Sequence, residues 1–210
     1  MRRLRAMLAG LAASIAVAGS QPSAAAESAR PFERPDLPQH QWQAGTFLFS
    51  DELGGFTINA VRGSGSRSDP VVITQSIHSV GPSVLTVRMV DTTRAMFDLG
   101  STWKTLYLQL ETLNSSPAGW IGYGLELQKV RGEPSIYGDG LSFNQLNRDE
   151  SAIVSDRFAR YEVEYEPGDR LVFTGGWVDP RMAARFRLFL LDLSPNGVFY
   201  IEQQPQLPAF

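Results

Sequence analysis

Residues 120–130 read WIGYGLELQKV. Ile121, Tyr123, Leu125 and Leu127 recur at every second position, with Gly122, Gly124, Glu126 and Gln128 between them. Successive strand side chains point to opposite faces, so this spacing predicts a strand with one apolar and one polar face. The same rhythm appears in 161–165, YEVEY, where Tyr161, Val163 and Tyr165 alternate with Glu162 and Glu164. In 102–113, TWKTLYLQLETL, it sets Leu106, Leu108 and Leu110 against Trp103, Tyr107, Gln109 and Glu111.

Outward from these stretches lie more short runs rich in β-branched and aromatic residues. They are TFLFS (46–50), FTINAVR (56–62), VVITQSI (71–77), SVLTVRMV (83–90), RLVFTGG (170–176), ARFRLFLLDLS (184–194) and GVFYIEQQ (197–204). Gly, Pro, Asn and Asp punctuate them, as turns require. RGSGSRSDP (62–70) reads as a flexible loop, and only TTRAMFDLG (92–100) and DPRMAARF (179–186) read as helical turns. Strands at regular spacing with turn signals between them predict an all-β fold, an antiparallel, jelly-roll-like β-sandwich. It forms a single domain over 42–210 after a signal peptide. The two prolines of QPQLPAF (204–210) argue against a strand there.

The N-terminus has a different character. MRRLR carries Arg2, Arg3 and Arg5, an uncharged run follows over 6–19, and small residues lead to Ala24 and Ala26. Charged start, apolar middle and small-residue cleavage site make a secretory signal over 1–26, with Ala18 and Ala29 as alternative cleavage points. The apolar run falls short of the roughly 20 residues that span a bilayer. Residues 27–41, with three prolines, read as an extended polar leader. Cleavage after Ala26 removes three arginines and no acid, taking the formal charge from −3 to −6. A mature chain this acidic is a poor nucleic-acid or anionic-membrane binder. It also contains no transmembrane segment, and the expected location is periplasmic or secreted. With no cysteine in the chain, thiol catalysis, Cys-zinc sites and iron–sulfur clusters are excluded.

The remaining chemistry is sparse. The chain has two histidines, His40 in the leader and His78 beside a turn. GSGS (63–66) lacks the strand-to-helix context of a hydrolase elbow, and there is no Walker loop or dinucleotide fingerprint. Glu162, Glu164 and Glu166 share a strand face about 6.5–7 Å apart, near the spacing of inverting glycosidase carboxylates. Cross-strand pairing with Arg185 and Arg187 on a solvated face explains them without catalysis. No cofactor is expected; calcium is the one metal the residues suggest, through Asp139, Asn144 and Asp149. Asp139-Gly140 is first of all a turn dipeptide, so YGDGLSFNQ (137–145) reads as a hairpin corner leading into a strand. In that strand Leu141 and Phe143 face the core, while Ser142 and Asn144 face out or cap. Trp120 and Trp177 stand at strand–loop junctions, where flat aromatic faces with the amides Gln145 and Asn147 could hold a sugar. Tryptophans plugging the ends of the core are the simpler reading.

The order TWKTLYLQL, DGLSFNQ, SDRF, GDRLVFTGGWVDP, RFRLFLLDL and FYIEQQP across residues 100–205 resembles the β-sandwich ectodomains of exported bacterial PEP-CTERM-type proteins. The matching residues are Trp103, Gly140, Leu141, Ser142, Phe143, Gln145, Ser155, Asp156, Phe158, Phe173, Gly175, Gly176, Phe199 and Gln203. The sequence ends at QLPAF without the family's Pro-Glu-Pro tail, so free secretion or periplasmic residence is expected instead of membrane sorting. The resemblance implies envelope or extracellular-matrix material associated with exopolysaccharide. The expected function is a non-enzymatic structural or adhesive module. The alternatives are a carbohydrate-binding module for an extracellular polysaccharide and, behind it, a glycoside hydrolase using Glu162 or Glu164. An envelope protein is the other partner class.

Overall fold

The structure is a computed structural model that describes residues 40–90, 104–143, 150–165, 167–193 and 197–209. The expected signal peptide, nearly all of the leader and TTRAMFDLG lie outside the described residues. The strands are β1 (Gln41–Ala44), β2 (Phe47–Ser50), β3 (Phe56–Arg62), β4 (Val71–Ile77), β5 (Ser83–Met89), β6 (Lys104–Asn114), β7 (Trp120–Gln128), β8 (Leu141–Phe143), β9 (Val154–Ser155), β10 (Phe158–Glu164), β11 (Arg170–Val178), β12 (Ala183–Asp192) and β13 (Val198–Gln206). Short 3-10 turns at Tyr137–Asp139 and Glu150–Ala152 are the helical elements among the described residues.

The strands form two packed sheets, an all-β sandwich. The first has the order β1-β2-β5-β13-β7-β11-β10; the second runs β3-β4-β6-β12-β8, with β9 also on β12. All pairs in the first sheet are antiparallel. In the second, β4 and β6 are parallel, Val71 opposite Leu108 through Ile77 opposite Asn114. That departs from the purely antiparallel expectation. The chain leaves β4 to lay β5 in the other sheet, then returns to the second sheet in its original direction.

Alternation places the core where the sequence put it. Leu106, Leu108 and Leu110 of β6 pair with Leu190, Leu188 and Phe186 of β12, and all six are buried. From the first sheet Tyr123, Leu125 and Leu127 meet them, with Leu171 and Phe173. Phe186 gathers the aromatic rings of both sheets, with Tyr123 at 4.6 Å, Phe173 at 5.0 Å and Phe158 at 6.0 Å between centroids. Such pairs add stabilisation beyond their buried area.

Several expectations require correction. The spacing places Ile121 on the inward face, but it is 38% exposed, while Trp120 is fully buried. Gly122 pairs with Thr174, yet Trp120 pairs with Val178, so β11 carries two extra residues there. Gly175 adopts φ +73°, and a Cβ on Gly176 would lie 1.9 Å from the Arg157 carbonyl oxygen. Only glycine tolerates both demands. Across the irregularity the faces exchange: Trp120 and Val178 turn in, Ile121 and Trp177 turn out.

Asp139-Gly140 does make a turn, but β8 pairs with β12 and not with a hairpin neighbour, and Ser142 is buried. DPRMAARF is a turn through Arg181 followed by strand, because Ala183 to Phe186 are held in the ladder with β6. Pairing overrides the helical propensity of its alanines. The 62–70 loop is tied down by Gly65 N–H to Asp69 O (3.0 Å) and Tyr107 N–H to Gly65 O (3.0 Å). Pro205 lies inside β13 opposite Tyr123. It is tolerated because pairing with β5 ends at Gln203, leaving one edge of β13 open. Gln41, expected in the leader, already belongs to β1.

Candidate functional site

The sequence singled out Trp120 and Trp177, and the fold separates them. Trp120 is core. Its Nε1–H donates to Ser116 Oγ (3.2 Å), whose hydroxyl donates to Asn114 Oδ1 (2.7 Å), and its ring packs 5.4 Å from Tyr123. Asn114 in turn donates to the carbonyls of Ala118 (2.9 Å) and Val178 (3.0 Å), closing that end of the sandwich. Trp120 therefore cannot present a face to a ligand, which corrects its candidacy.

Trp177 is 49% exposed. Its Nε1–H donates to Asp179, and its six-membered ring lies against Gly119, where a Cβ would come within 2.7 Å of Cζ2. One hydrogen bond and one backbone contact thus orient a half-exposed indole. Gly119→Ala is expected to push the ring away from the loop. The chain stays folded, and acrylamide quenching of Trp177 fluorescence rises. Unchanged quenching would show that the glycine does not seat the ring.

Gln145, Asn147, Asn144 and Asp149 lie outside the described residues. Asp139 is engaged as a turn acceptor: its carboxylate takes Ser135 Oγ–H (2.7 and 2.8 Å), Ile136 N–H (3.0 Å) and Leu141 N–H (2.9 Å). Among the described residues no three His, Asp or Glu side chains gather at metal-binding distance.

Glu162 and Glu164 are exposed on β10, an edge strand, opposite Val172 and Arg170 of β11. Glu166 lies outside the described residues. The expected pairing with Arg185 and Arg187 does not form, because β12 belongs to the other sheet. Arg185 instead shares Glu111 with Arg62, at 3.7 and 3.5 Å. His78 is an exposed histidine at a loop edge, bonded to Thr57 Oγ1 (3.1 Å). His40, assigned to the leader, reaches Asp51 Oδ1 (2.9 Å).

Two arrangements were not anticipated. The first is buried. Gln75 Nε2 donates to Gln203 Oε1 (2.6 Å) and Thr112 Oγ1 (3.0 Å), Gln203 Nε2 donates back to Gln75 Oε1 (3.3 Å), and Tyr123 OH donates to Gln203 Oε1 (3.0 Å). Burial pushes the Tyr123 phenol far above its ordinary range, so the donated proton stays in place. Gln75 and Thr112 belong to one sheet, Gln203 and Tyr123 to the other. The network is a polar staple through an apolar core.

The second is a cleft of about 420 Å3 on the outer face of the second sheet, within the roughly 300–1,000 Å3 of small-ligand sites. Tyr107 and Gln109 of β6, Arg187 of β12, Arg67 and Pro70 of the 62–70 loop, and Ser151 beside the second 3-10 turn line it. The outward alternation of Tyr107, Gln109 and Glu111 was legible in the sequence. The loop folded beside it was not, since that contact spans about 40 residues of chain.

No protein family, curated protein or solved structure matches this chain. Among the described residues no helix is long and apolar enough to cross a membrane. The class defined by the fold is thus an all-β sandwich.

Proposed function

We propose that the chain is an exported, non-enzymatic envelope or extracellular-matrix module with a structural or adhesive role. The observation that carries this reading is the burial of Trp120, which removes one of the two tryptophans that the sequence offers for a sugar platform. The staple of Gln75, Thr112, Tyr123 and Gln203 supports it too, since a satisfied buried network rigidifies a core. Rigidity without a disulfide suits a building element outside the cell. The secretory pattern of residues 1–26 and the PEP-CTERM-type resemblance point the same way.

Carbohydrate binding is the second reading, favoured by the oriented, half-exposed ring of Trp177. A glycoside hydrolase is less supported, because Glu162 and Glu164 stand exposed on an edge strand instead of flanking a cleft.

Expression of the full chain in a Gram-negative host, followed by fractionation and N-terminal sequencing, tests the proposal. The expected product begins at Glu27 and sits in the periplasm, the envelope or the medium. A chain with intact Met1 in the cytoplasm overturns it. Retention on insoluble polysaccharide that Trp177→Ala abolishes would favour the carbohydrate-binding reading.

A further inference from the structure

The outer face of the second sheet carries a local charge opposite to that of the whole chain, whose formal charge is −3. At its centre Glu111 accepts Gln109 Nε2–H (3.0 Å) and Thr74 Oγ1–H (3.2 Å) while shared by Arg62 and Arg185. One carboxylate is thus matched by two guanidinium groups. Arg187, one pleat further along β12, is exposed and makes no ion pair among the described residues. It stands directly opposite Gln109, and Tyr107 stands opposite Phe189, the two rings 4.5 Å apart.

The cleft therefore offers three groups on a rigid ladder. Arg187 supplies donors only, in the planar fork that matches a carboxylate. Gln109 has its nitrogen held by Glu111, so its Oε1 is left to accept. Tyr107, braced by Phe189, supplies a hydroxyl that can donate or accept. A ligand that uses all three needs an anionic group and hydroxyl donors within a few ångströms of each other. A uronic-acid residue has both on one ring, and its apolar face suits an aromatic neighbour. An acidic peptide side chain brings the carboxylate without neighbouring hydroxyls.

We infer that this cleft binds a uronate residue of an acidic polysaccharide, its carboxylate on Arg187 and its ring hydroxyls on Gln109 Oε1 and the Tyr107 hydroxyl. The inference rests on the second, carbohydrate-binding reading and names its ligand class. It does not use Trp177, which lies in the other sheet. Because the net charge repels polyanions, binding is weak at a single site and gains from repeated units along a polymer.

Titration calorimetry of the cleaved protein with an oligogalacturonate is the test. Three comparisons accompany it: the same oligomer with its carboxylates methyl-esterified, a polyglutamate peptide, and added salt. Binding is expected to weaken about tenfold or more on esterification and in Arg187→Gln. Arg187→Lys should retain part of it, and Arg160→Gln, an exposed arginine of the first sheet, should leave it unchanged. Arg187 is exposed, so its variants fold, and a thermal melt verifies that. No oligogalacturonate binding overturns the inference, as does equal binding by wild type and Arg187→Gln, or polyglutamate binding as tight as the uronate. If the protein is still exported and retained in the envelope in any of these cases, only the ligand assignment falls and the adhesive role stands.

Discussion

Trp120→Ala is expected to lower stability by about 3–5 kcal/mol, the range for removing a buried aromatic side chain, and to lower Tm by roughly 6–20 °C for a domain of this size. Trp177→Ala should change stability by about 1 kcal/mol or less, as for an exposed position. The physical difference is the packing. Trp120 is fully buried between Tyr123 and the Asn114–Ser116 turn, so its removal leaves a cavity and strands the Ser116 hydroxyl without its donor. Trp177 loses half of its contact to solvent already. Urea unfolding of both variants measures the pair of effects, and acrylamide quenching of each reports which indole is accessible. Equal costs for the two, or ready quenching of Trp120, would contradict the burial on which the proposed function depends.

Gln203→Leu is expected to cost about 2–5 kcal/mol, because each buried polar group left without a partner costs about 1–3 kcal/mol. Gln203 Oε1 accepts from both Gln75 and Tyr123, and its nitrogen donates back to Gln75. One substitution therefore removes an acceptor of the Tyr123 hydroxyl and the donor to the Gln75 amide oxygen, both inside the core. Removing the other partners as well should recover part of the loss. The triple variant Gln75→Leu, Tyr123→Phe, Gln203→Leu is predicted to be more stable than the sum of the three single changes implies. A coupling of about 0.5–3 kcal/mol is the range for residues in one network. Additive single-site effects would show that the three groups do not act as a unit.

The all-β class was legible wherever alternation was unbroken. The inward leucines of β6 and the inward Tyr123, Leu125 and Leu127 of β7 were read correctly from spacing alone. The reading failed at Ile121 and Trp120 because a period of two assumes a regular ladder, and the β7–β11 ladder is interrupted between Thr174 and Val178, where both strands lose their alternation. It failed at Pro205 because a proline is forbidden only where both edges of a strand are paired, and strand ends are not marked in the sequence. It assigned Arg185 and Arg187 to Glu162 and Glu164 because alternating charge patterns match in one dimension whichever sheets the strands join.

The candidate site was less visible still. Trp177 was found as an aromatic at a strand–loop junction, and its contact with Gly119 and Asp179 gave it an orientation that composition cannot supply. Arg187 was visible only as half of a surface ladder. Its place beside Tyr107 and Gln109 follows from the β6–β12 register, and Arg67 joins them through a loop about 40 residues earlier than β6's outward face.

By itself the sequence determined the strand-rich class, the absence of cysteine chemistry and the inward faces of the regular strands. These depend on local stereochemistry and on which residue types are present, which neighbours along the chain do not alter. Tertiary structure decided the parallel β4–β6 pair, the exchange of faces at Trp120, the Gln75–Gln203–Tyr123–Thr112 staple and the arginine cleft. Each of these joins residues far apart in sequence, and their meeting is set by sheet order and register, where a shift of one residue turns every side chain to the opposite face.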